Sequence, residues 1–80
     1  MRVCTIVWEY NYMPPEIERK GAHASVWIFA GDGRKDMERH FGWVKVVGPV
    51  DQELASEVCN ALKEFFSKNG VTVFEEYIAD

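Results

Sequence analysis

The stretch from Asp51 to Lys68, DQELASEVCNALKEFFSK, constrains the fold most, because its apolar residues recur at a period that only an α-helix brings to one side. Leu54, Ala55, Val58, Cys59, Leu62, Phe65 and Phe66 form a stripe, with Glu53, Glu57, Asn60, Lys63, Glu64 and Ser67 opposite it. Asp51 can cap the first free amides, Glu53 and Glu57 suit the positive end of the helix dipole, and Lys63 and Lys68 suit the negative end. Asn69-Gly70 stops the helix, since glycine enters the left-handed conformation without steric cost. A segment of roughly 25 Å can cross several strands. Its two phenylalanines, Phe65 and Phe66, require a surface to bury them, which the rest of so short a chain provides best as a sheet.

Arg2 to Tyr10 alternates Cys4, Ile6, Trp8 and Tyr10 against Val3, Thr5, Val7 and Glu9, and so reads as a strand. Valines on its less apolar side place it inside the sheet. Asn11 to Gly21, with Pro14 and Pro15, cannot sustain a ladder and is an exposed connection. Ala22 to Ala30 is a second strand, with Ala22, Ala24, Val26, Ile28 and Ala30 on one face and His23, Ser25, Trp27 and Phe29 on the other. Gly31-Asp32-Gly33 opens a turn, Met37 to Val47 is a third strand, and Gly48-Pro49 ends it. Val71 to Ile78 is the fourth. The expected architecture is a single α+β domain, residues 1–80, in two layers: a mainly antiparallel four-stranded sheet, β-β-β-α-β, with one amphipathic helix on one face. The fourth strand can run parallel to the third or lie beside the first; the pattern does not choose.

The net charge of −4 argues against nucleic acid as a partner, because phosphate neutralisation needs clustered Lys and Arg. The acidity is uneven. Residues 51–80 carry seven acidic and two basic side chains, a balance of −5, whereas residues 16–45 have a balance of +1. Cys4 and Cys59 fall in a strand and in the helix at a spacing that fits neither a disulfide framework nor a zinc site, so both are expected as buried thiols facing one another across the two layers. The apolar run from Val3 to Trp8 is too short for a signal peptide or a membrane span, which makes the cytoplasm the expected compartment. Catalytic motifs are missing. His23 and His40 are the only histidines, and Gly31-Asp32-Gly33 lacks the Gly-Lys-Ser/Thr continuation of a phosphate loop. Neither a metal nor a cofactor is expected, nor an enzymatic activity.

One helix covers one face of the sheet, which leaves the other to be explained. If Val26, Ile28, Val44 and Val46 face the helix, the reverse face presents Trp27, Phe29, Phe41 and Trp43, with Arg39 and Lys45 among them. Large aromatics mixed with cations make a contact surface. The 11–20 connection or a second copy of the chain would cover such a face, and so would a different protein. The functional expectation is therefore a small non-enzymatic protein-interaction module. Small phage-encoded inhibitors that occupy a surface of a host defence complex share this profile of a minute, acidic, motif-free, aromatic-rich domain. The alternative is a nucleic-acid or small-ligand binder that stacks its target on the same rings.

Overall fold

The computed structural model describes residues 2–11, 23–33 and 42–79. Among them, strands β1 (Arg2–Asn11), β2 (His23–Ala30) and β3 (Trp43–Asp51) precede helix α1 (Gln52–Lys68) and strand β4 (Val71–Ala79). They form one sheet in the order β3-β2-β1-β4, with β1–β2 and β2–β3 antiparallel and β1–β4 parallel. This is the two-layer α+β arrangement expected from the sequence, with β1 inside. Both options for the fourth strand hold together: β4 lies beside β1, and since β2 opposes both β1 and β3, β4 runs in the direction of β3. β3 and β4 lie at opposite edges and run the same way, so the chain must return over the sheet between them, and α1 is that connection.

Local chemistry sets the helix ends. The Asp51 carboxylate accepts the Leu54 amide hydrogen at 2.9 Å, satisfying one of the orphan donors of the first turn. At the other end Gly70, at φ +70°, donates to the Ser67 carbonyl, and the Asn69 side chain donates to the Phe65 carbonyl at 2.8 Å.

The core between the layers consists of Ile6, Trp8, Ala24, Val26, Ala55 and Cys59, with Val47, Val50, Leu62 and Val73 packed around it. Small residues on both surfaces, Ala24 below and Ala55 and Cys59 above, let the helix approach closely. Cys4 is buried as well, and both cysteines are free thiols. The helix starts at the β3 edge and ends at the β4 edge, so it crosses the sheet obliquely and leaves two opposite corners open. One holds Val44 and Val46, the other Tyr10 and Tyr77, and all four are exposed. Trp8 sits between Tyr10 and Tyr77, near-parallel to both at 6.3 Å.

Two sequence expectations are corrected. The apolar stripe of α1 is wider than the sheet it meets: Leu62 and Phe66 are half-buried, whereas Leu54 and Phe65 are 41% and 61% exposed. Phe65 instead lies edge-on to Phe66, at 5.7 Å between ring centroids. Gly48-Pro49 does not end the third strand, which continues to Asp51. Two register shifts against β2, between Ala24 and Val26 and between Val26 and Trp27, let it pass. A bulge on an edge strand accommodates a proline because no partner needs its missing N–H. The expected 11–21 connection beyond Asn11, the start of the second strand at Ala22 and the expected strand segment 37–41 lie outside the described residues.

Candidate functional site

Alternation along β1, β2 and β3 places Thr5, Val7 and Glu9, then Ser25, Trp27 and Phe29, then Trp43 and Lys45, on the face away from α1. The pairing Trp27↔Lys45 and Phe29↔Trp43 brings the last four side by side. The Trp27 and Trp43 rings lie 6.2 Å apart at 59°, and the Lys45 ammonium stands 4.9 Å from the centre of the Trp27 ring. The Trp27 indole N–H donates to the Glu9 carboxylate at 3.1 Å. Trp27, Phe29 and Trp43 are each half-buried, and Lys45 is exposed. Of the residues singled out from the sequence, Trp27, Phe29, Trp43 and Lys45 thus share one patch; Phe41 and Arg39 lie outside the described residues. Glu9 escaped notice because nothing in the sequence pairs a first-strand carboxylate with a second-strand indole.

Beneath the rings this face is closed. Thr5, Val7 and Ser25, on the side away from α1, are fully buried. The Thr5 hydroxyl donates to the Gly31 carbonyl and accepts the Gly33 amide hydrogen, both at 2.7 Å, which folds the 31–33 turn down onto β1. A Cβ on Gly33 would meet Thr5 at 3.1 Å. Gly48, at φ +127°, presses on Ser25, where a Cβ would come within 2.5 Å of the Ser25 Cα. The Ser25 hydroxyl in turn donates to the Asn11 side chain at 2.8 Å. Among the described residues, backbone and hydroxyls thus close over Thr5 and Ser25, beside the aromatic patch.

A polar cluster lies at the margin between α1 and β4. Glu75 accepts from Lys63 at 2.6 Å and from the Cys59 thiol at 3.3 Å. Burial, then the Glu75 carboxylate, pushes the Cys59 thiol up to about 11, against the lowering influence of Lys63. Burial also acts to raise Glu75, but hydrogen bonds from Lys63 and Cys59 outweigh it and hold the carboxyl below its ordinary value. The Trp8 indole N–H is buried nearby and also acts to lower both groups. This arrangement keeps the sulfur protonated, the opposite of what a nucleophile or a metal ligand needs. Among the described residues no three His, Cys, Asp or Glu side chains are grouped to hold a metal ion, and no helix is long and apolar enough to cross a membrane.

A concave feature elsewhere was not legible in the sequence. Where β1 and β4 begin, β2 ends and α1 finishes, an open groove of about 810 Å³ is lined by Arg2, Cys4, Ile28, Phe66, Val71 and Phe74 among others. Comparison with protein-family models, with curated proteins and with solved structures finds no match.

Proposed function

We propose that the chain is a small non-enzymatic protein-interaction module that binds its partner through the aromatic patch opposite the helix. The observation that carries this reading is the fixed Trp27 ring: Glu9 holds its nitrogen, Lys45 lies over its face and Trp43 tilts against it. Tryptophans held in place before binding lose little side-chain entropy on association, and such anchors dominate interface energy. The two buried thiols, Cys4 and Cys59, are both raised above their ordinary range by burial, which speaks against thiol catalysis. A domain of this size that occupies a surface, without turning over a substrate, acts in proportion to its amount, as a stoichiometric inhibitor of a larger complex does.

The test separates stability from binding. Trp27→Ala and Trp43→Ala should leave the thermal midpoint within a few degrees of the parent while abolishing assembly with the protein partner, or with a second copy in sedimentation. Parallel loss of stability and binding would instead assign the rings to the core. Titration of single-stranded DNA and RNA at low and moderate salt covers the nucleic-acid alternative: tight binding that collapses with salt and on charge reversal at Lys45 would replace the protein partner by a phosphate backbone.

A further inference from the structure

The two edges of the sheet are built differently. The β3 edge carries two register shifts, Gly48 at φ +127° and Pro49, all of which spoil a strand as a template for another. β4 has none of these. Its nine residues, Val71–Ala79, pair with β1 in one unbroken register, without a glycine, a proline or a shift. Its sequence VTVFEEYIA is rich in β-branched and aromatic residues. Among the described residues no strand pairs with its outer side, so every second backbone amide and carbonyl there points away from the sheet.

Charge selects what can pair with it. On the helix side Glu75 is already matched by Lys63. On the opposite side Phe74, Glu76 and Ile78 alternate, next to Thr5, Val7 and Glu9 of β1, and among the described residues Glu76 has no ion pair. A second copy would bring residues 51–80, with a balance of −5, against the same residues of the first. An extended segment with a cation opposite Glu76 and apolar residues beside Phe74 and Ile78 meets complementary groups at all three positions.

We infer that the free edge of β4 accepts an extended segment of a partner protein, reading apolar-x-Lys/Arg-x-apolar, as a fifth strand of the sheet. Backbone hydrogen bonds supply the attachment and Glu76 supplies the choice. This surface is separate from the Trp27 patch, and the inference does not depend on that patch binding anything.

Residue-resolved amide exchange and titration with two capped synthetic peptides, TTVTKTVTT and TTVTETVTT, test it on the whole chain. Alternate amides within 71–79 should become protected by the lysine peptide, which should bind more tightly than the glutamate peptide. Glu76→Lys should weaken the lysine peptide about tenfold and favour the glutamate one, at an unchanged thermal midpoint, while Trp27→Ala should alter neither titration. Equal affinity for both peptides, or protection elsewhere than β4, would overturn the inference. Protection of the same amides by concentration alone, with dimers in sedimentation, would replace the basic segment by a second copy.

Discussion

The two faces of this sheet are both closed, but by different means. On one, α1 lowers small side chains, Ala55 and Cys59, onto Ile6, Ala24 and Val26. On the other, the chain's own backbone comes down on β1 and β2 at glycines, Gly33 over Thr5 and Gly48 over Ser25, and hydroxyls take up the polar groups that approach buries. An apolar layer tolerates loss of a methylene at the price of a cavity, whereas these glycine contacts leave a Cβ tight room at Gly33, 3.1 Å from Thr5, and none at Gly48. The faces should therefore fail under opposite substitutions, truncation on the first and enlargement on the second.

The largest effect is expected at Gly48. Gly48→Ala must place a side chain at φ +127° and within 2.5 Å of the Ser25 Cα, and neither β2 nor β3 can move without breaking their ladder. Positive-φ strain and overpacking together predict a loss of roughly 3 to 5 kcal/mol in chemical denaturation. Gly70→Ala is the control: it also has positive φ, but its Cβ would meet nothing within 4 Å, so only about 1 kcal/mol is at stake. Equal losses at the two glycines would show that conformation, not the contact with Ser25, governs this face.

On the helix face truncation should separate the stripe's centre from its flank. Leu62 packs on the core, and Leu62→Ala should cost roughly 2 to 3 kcal/mol. Phe65 is 61% exposed, and Phe65→Ala should cost less than about 1 kcal/mol despite removing the larger side chain. Thermal denaturation of the pair checks this. A Phe65 loss equal to that of Leu62 would mean that the flank is covered in solution.

That pair also shows how far the sequence could be read. Periodicity marked Leu54 and Phe65 as part of the stripe, and so they are; how much of a stripe is covered depends on the angle at which the helix crosses, which no residue pattern encodes. Alternation in the second and third strands assigned Trp27, Phe29, Trp43 and Lys45 to a common face because both strands keep a period of two where those residues lie. It failed where the period breaks: the shifts around Val46 and Gly48-Pro49 carry β3 to Asp51, past the point where composition suggested an end. Thr5 and Ser25 read as ordinary strand hydroxyls, since their partners Gly31, Gly33 and Asn11 come from distant turns and strand ends.

Thr5→Val tests the hydroxyl half of the comparison. The shape is nearly kept, but the Gly33 amide and Gly31 carbonyl each lose a 2.7 Å partner inside a closed face, at an expected cost of roughly 1 to 3 kcal/mol. Faster amide exchange at Gly33, beyond any global loss, would localise the damage. If stability and exchange are unchanged, the turn is held by packing and not by the hydroxyl.

The last effect is one of pH, absent at neutrality and confined to the margin of the helix face. Burial and the Glu75 carboxylate raise the Cys59 thiol from 9.0 to about 11, so above pH 9 the unfolded chain releases a proton that the folded chain keeps. The folded state binds more protons there, and stability must fall as pH rises from 9 toward 11. Glu75 acts at the other end: its carboxyl is held below the ordinary 4.5, the folded state binds fewer protons, and the contribution present above that value is lost as pH falls below it. Cys59→Ala flattens the alkaline slope by removing the thiol, leaving the part that Lys63 and Tyr77 carry, whose values the Glu75 carboxylate also raises, and shifts the whole curve down for the lost packing. Lys63→Met leaves an alkaline slope, because burial, its first cause, is untouched, and moves the acid midpoint upward, because Glu75 loses the hydrogen bond that lowers it most. Denaturation midpoints between pH 3 and pH 11 should therefore respond at opposite ends to the two substitutions; a Cys59→Ala variant that keeps the parent's alkaline slope would mean that some other group titrates there.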